Sequence, residues 1–132
     1  MTIQEIQEVD GIEKFLLITP SDNPAEIIER LSTVSVYHSR LGGLLVLAKK
    51  ELRMAKASEI SKTIISIAKE QYLSAKAQNA LVDSICVHEQ YEVDRLERLQ
   101  ASCVHDIDAQ RSILSYLKTE VNNVNYYQNQ RV

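Results

Sequence analysis

The sequence predicts an all-α protein: two long antiparallel helices forming a helical hairpin, with a short N-terminal helix and arm, assembling as a helical oligomer. Composition points there first. Among 132 residues there are no Trp, one Phe, three Gly and two Pro, while 45% are apolar. That mixture suits long helices and is poor in the residues that sheets and their turns require. Periodicity points the same way. A 4,3 alternation of mostly apolar positions runs from Ile27 through Leu31, Val34, His38, Leu41, Leu45, Ala48 and Leu52 to Ala55, the spacing of a coiled-coil seam. Its eight steps commit roughly 40 Å of rod to packing against another helix. The chain length fits one domain, residues 1–132.

Taken in order, residues 1–19 form the N-terminal arm. Ile3, Ile6 and Val9 stand at helical spacing, Gly11 interrupts them, and Phe15-Leu16-Leu17-Ile18 come next as an apolar strip that should dock on the helices or on a neighbouring subunit because it is too short to make a sheet alone. The first long helix is expected over 24–71. Asn23 can cap it, with Asp22 as the alternative cap, Pro24 loses nothing at the first helical position, and Glu26 can close a capping box. Its seam continues, after a phase shift, through Ala57, Ile60, Ile64 and Ile67. Gly42-Gly43 inside it costs about 1 kcal/mol per residue relative to Ala, which a close helix–helix approach would explain. Tyr72-Leu73-Ser74-Ala75 is the expected reversal, with Ser74 capping the next helix.

The second long helix is expected over 75–124. Its apolar series is Val82, Ile85, Val93, Leu96, Leu99, Cys103, Ile107, Leu114, Leu117, Val121 and Val124. Two helices alone each bury one stripe, so a third helix or a second subunit should cover them, self-association being the natural solution. The core and oligomer contacts are accordingly expected at Leu31, Val34, Leu41, Leu45, Leu52, Leu96, Leu99, Leu114 and Leu117. The tail, 125–132, is rich in Asn, Gln and Tyr and is expected to fray.

The net charge of -3 conceals a polarity along the chain. Residues 1–39 hold two basic and seven acidic side chains, residues 40–76 eight and three, and residues 77–132 five and eight. Such asymmetry suits an anionic partner or acid-to-base contacts between subunits. The longest apolar run, Leu44 to Ala48, is far below the ~20 residues that span a bilayer, and no signal pattern opens the chain, so no membrane role and a cytoplasmic location are expected. Cys86 and Cys103 are too few for a disulfide framework and read as small core thiols.

Three constellations could carry chemistry. Cys86-Val87-His88 recurs as Cys103-Val104-His105, which invites zinc. Residues two apart on a helix point about 200° from one another, however, and the copies stand ~25 Å apart along one helix, so packing thiols and ordinary histidines fit better. Asp83, Glu89, Glu92, Asp94, Glu97, Asp106 and Asp108 offer carboxylates, but the Glu-x-x-His element of helical di-metal sites is missing and Arg95 and Arg98 intermix with them. No nucleophile motif or phosphate loop stands in the sequence. No catalytic residue, metal, cofactor or small-molecule substrate is therefore expected. The third constellation is basic. Lys49, Arg53 and Lys56 fall within about 60° on a helix, with Lys50 to the side and Lys62 beyond, a stripe able to contact phosphates. Lys62, Lys69 and Lys76 make a second ladder, roughly opposite. Aromatic residues do not interleave with the stripe, as stacking platforms for single strands would. Pairing with acidic helices is the alternative reading.

Tyr37-His38-Ser39-Arg40-Leu41, followed by Lys49-Lys50-Glu51-Leu52-Arg53, resembles the central helix of the small phage recombination mediators of the UvsY type. Ile107-Asp108-Ala109-Gln110-Arg111-Ser112 resembles their late helix, and the likeness covers about two thirds of the chain. It implies a ring-like homo-oligomer in the host cytoplasm that binds single-stranded DNA and helps a recombinase displace single-strand-binding protein. The family's Lys-x-Arg element falls near Thr63 to Ile65, where no basic residue stands. DNA contact would use Lys49, Lys50, Arg53, Lys56 and Lys62 instead; the alternative is a non-enzymatic helical adaptor, structural or host-defence-inhibiting protein that works by protein–protein interaction without binding DNA.

Overall fold

In the computed structural model, residues 1–130 are described, and they form five α-helices with no strand among them: α1 (Ile3–Leu16), α2 (Pro24–Lys56), α3 (Glu59–Glu70), α4 (Ala75–Ile85) and α5 (Val87–Gln130). Capping chemistry explains where they begin. Thr2 and Glu5 close a reciprocal capping box on α1, with Glu5 N–H donating to Thr2 Oγ1 at 3.1 Å and Thr2 N–H to Glu5 Oε2 at 3.0 Å. Helix α1 then runs straight through Gly11, so the expected break and apolar arm shrink to the exposed Leu17 and Ile18. At α2, Asn23 Oδ1 accepts from Ala25 N–H at 2.9 Å. The box with Glu26 does not form, because Asn23 N–H donates to Ser21 Oγ.

The expected helix over 24–71 is two helices. Helix α2 stops at Lys56, and Ser58 caps α3 by accepting from Ser61 N–H, while Ser61 Oγ donates back to Ala55 O at 2.7 Å. The new start moves the buried face by one residue. Ser61 and Ala68 are buried, whereas Ile60 and Ile67 face solvent. Helix α3 ends in a Schellman motif: Leu73 N–H donates to Ala68 O and Tyr72 N–H to Lys69 O, both at 3.0 Å, around Tyr72 at φ 57°. Ser74 then caps α4, accepting from Ala77 N–H. The expected helix over 75–124 is likewise divided, at Cys86 (φ -102°, ψ 20°). Its second part, α5, continues as helix through 125–130, where the sequence predicts fraying. Residues 131 and 132, the end of that tail, lie outside the described residues.

The chain packs as two compact units. One comprises Thr2–Arg40 with the chain from Leu99 onward. Its core holds Val9 and Ile12 of α1, Ile27 and Val34 of α2, and Leu99, Cys103 and Gln110 of α5. Here α2 and α5 run in opposite directions, since Arg30 meets Asp106 while Pro24 borders Leu114, Leu117 and Val121. The other unit comprises Met1 and Leu41–Arg98. Its core holds Leu41, Leu44, Leu45 and Ala48 of α2, Ser61 and Ala68 of α3, Val82 of α4, and Val93 and Leu96 of α5, with Cys86 at the joint between α4 and α5. No helix among the described residues is long and apolar enough to cross a membrane.

Candidate functional site

All nine positions of the α2 seam, Ile27 to Ala55, are buried or half-buried within the chain itself. Of the expected association residues, Val34, Leu41, Leu45, Leu96 and Leu99 are buried, and Leu31, Leu52, Leu114 and Leu117 are half-buried. The apolar spacing that reads as a seam for another copy is used by this chain's own helices. What faces outward on α2 is a different set, which includes Val36, Val46, Leu47 and Met54. The seam spacing does not single these out: Val46 and Leu47 lie inside the continuous apolar run of residues 44–48, where composition does not separate them from the buried Leu44, Leu45 and Ala48.

All five residues of the expected basic stripe are exposed, Lys49, Lys50, Arg53 and Lys56 on α2 and Lys62 across the break on α3. Its charges are not equally available. Lys49 Nζ lies 3.5 Å from Glu97 Oε1, Lys56 Nζ 3.4 Å from Asp83 Oδ1, and Lys62 Nζ 3.4 Å from Glu59 Oε1. These are solvent-exposed pairs, individually weak and screened by salt. Among the described residues, Lys50 and Arg53 have no such acidic neighbour. Within the stripe, the positive charge not already paired is that of Lys50 and Arg53 on α2. Nearby, Glu51 and the buried Glu92 are both 3.3 Å from the Met1 amino group, and His88 Nε2 is 3.2 Å from Glu92.

The acidic residues are dispersed in the same way. Asp106 is occupied by Arg30, Asp83 by Lys56 and Glu97 by Lys49. No group of three or more His, Cys, Asp or Glu side chains gathers at metal-binding distance among the described residues. The two Cys-Val-His triplets place their thiols inward, Cys86 and Cys103 both buried, and their imidazoles outward. Burial pushes the Cys103 thiol up, and the Asp106 carboxylate adds to the effect. Such a thiol is a poor nucleophile and a poor metal ligand.

An open apolar groove of about 380 Å³ lies where Pro24 faces Leu114, Leu117 and Val121, with Lys118 and Asn122 at its rim. A continuation along α5, about 320 Å³, adds Val124 and Asn125. Neither holds a cluster of convergent polar groups of the kind that orients a small substrate. Comparison with protein-family models, with curated proteins and with solved structures finds no match to this chain.

Proposed function

We propose that this is a non-catalytic helical protein that works by association through its outer helix faces, first of all with further copies of itself. The observation that carries this reading is the exposed apolar surface of α2: Val46, Leu47 and Met54 stand in water although the same helix has already buried its seam. Apolar residues at helical spacing around an unpaired Lys50 and Arg53 suit a partner helix better than bulk solvent. Within this reading the long helices act as the rods of an antiparallel hairpin, and the ion pairs of Lys49, Lys56 and Lys62 orient its surface. The test is the mass of the full chain in solution across protein concentration. Sedimentation velocity should give a species heavier than one chain. A single monomeric boundary at high micromolar concentration would overturn the reading.

The exposed basic stripe favours a second reading, in which the assembly is a phage recombination accessory of the mediator type. Lys50 and Arg53, aided by Lys49, Lys56 and Lys62, would track the phosphates of single-stranded DNA, with a recombinase or single-strand-binding protein as further partner. A fluorescent oligonucleotide titration decides it. Binding should fall steeply with salt and be lost in K50E/R53E, because counterion release dominates such contacts. Unchanged affinity in that double variant would exclude the stripe.

A further inference from the structure

Gly43 lies mid-helix in α2, exposed, and a Cβ built there would meet nothing within 4 Å. A glycine at such a place costs roughly 1 kcal/mol of helix stability relative to Ala, and nothing inside the chain repays it. The close approach it permits must then come from outside. Gly43 sits among other exposed residues. Leu47 (48% exposed), Lys50 and Met54 (63% exposed) come after it at steps of four, three and four along one exposed face, all within the unit Leu41–Arg98.

The other unit carries a counterpart on its own stretch of α2. Ala25, Glu29, Ser32 and Val36 are all exposed, again at steps of four, three and four, and Val36 is 64% exposed. Set antiparallel, the two stretches match position by position wherever residue numbers sum to 79. Val36 falls opposite Gly43, Ser32 opposite Leu47, Glu29 opposite Lys50, and Ala25 opposite Met54. Each small residue faces a large one, and the single acid faces the single base. Neither Glu29 nor Lys50 has an ion-pair partner among the described residues. Arg40, between the two stretches, would bring a like charge, but it is already held by Glu8 at 2.7 and 3.1 Å.

Building on the self-association reading, we infer that the partner on this face is a second copy of the chain, docked antiparallel so that Gly43-Leu47-Lys50-Met54 of one copy receives Val36-Ser32-Glu29-Ala25 of the other. Seam positions tolerate such a charge pair only in the register that brings acid to base, so Glu29 and Lys50 select the register as well as the partner.

The test is a charge-swap set on the full chain, measured by sedimentation equilibrium and circular dichroism. E29K alone and K50E alone each place like charges in the seam and should weaken association by on the order of tenfold or more. E29K/K50E should restore it. G43L, whose side chain enters open space in the free chain, should keep the helical signal yet dissociate the pair. If the wild-type chain assembles but ignores both single swaps and G43L, this docking face is wrong and self-association proceeds elsewhere. If the wild-type chain is a monomer, both readings fall together.

Discussion

Arg30 and Asp106, 76 positions apart, meet through two parallel hydrogen bonds, Nε to Oδ2 at 3.0 Å and Nη2 to Oδ1 at 3.1 Å. Both side chains are largely withdrawn from water, at 8% and 14% exposure. The guanidinium is used on every side: Nη1 donates to Ile18 O at 2.9 Å, and its carbon stands 5.2 Å from the Phe15 ring centre, which in turn meets Tyr37 edge-on. One side chain thus ties the end of α1, the start of α2 and the middle of α5 into the same unit.

Removing the cation should therefore hurt far more than removing the pair. Arg30→Ala leaves the Asp106 carboxylate buried without its partner, and urea unfolding should show a loss of about 3–5 kcal/mol. R30M/D106L, which removes both charges, should recover much of that. A single variant as stable as wild type would show that the pair contributes nothing.

The Glu8–Arg40 pair sets an acid limb of stability. The hydrogen bond from Arg40 holds the Glu8 carboxyl below its ordinary range, with the charge of Arg40 acting in the same sense and burial opposing. A carboxyl whose folded pKa is depressed contributes stability above its unfolded pKa and loses it as pH falls through the folded value. The effect is modest because Arg40 and Glu8 are both substantially exposed. Urea midpoints tracked downward from neutral pH should fall less in Glu8→Gln than in wild type. Parallel curves would show that Glu8 plays no part.

Gln110 occupies a core position at 1% exposure, and neither its Nε2 nor its Oε1 has a hydrogen-bond partner. Buried amide groups left unpaired carry their full desolvation cost. Gln110→Leu, close in size, should raise the unfolding free energy by about 1 kcal/mol or more in a denaturant titration. Destabilisation would mean that the amide is satisfied in solution.

The thiols should be silent in the folded protein. With Cys86 at 2% and Cys103 at 0% exposure, and the Cys103 thiol pushed up by burial, a thiol-reactive dye should label neither at neutral pH. Both should react at once in concentrated urea. Stoichiometric labelling without denaturant would contradict the packing around α5.

Much of this architecture is legible in residue order, and particular residues explain what is not. The seam from Ile27 to Ala55 can be read because one face of an unbroken helix repeats its apolar residues at a fixed spacing, and the caps Asn23 and Ser74 because their types and positions fit. The break at Ser58 cannot. Ala57, Ile60, Ile64 and Ile67 continue a helical spacing across it, while the signal for the restart is a serine that also belongs in helices. The break at Cys86 carries no Gly or Pro either. Arg30–Asp106 is invisible because nothing local joins residues on different helices. The basic stripe is legible as charge, but its partial neutralisation by Glu97, Asp83 and Glu59 depends on how the side chains settle in the folded chain.

The Schellman cap at the end of α3 places Tyr72 where glycine is the usual occupant, since a side chain at positive φ strains against its own carbonyl by about 1 kcal/mol or more. That ring is 96% exposed, so no burial compensates for the strain. The elbow joining α3 to α4 is consequently a pre-stressed spring within its unit, the place where thermal agitation should first part the two short helices while the long ones hold.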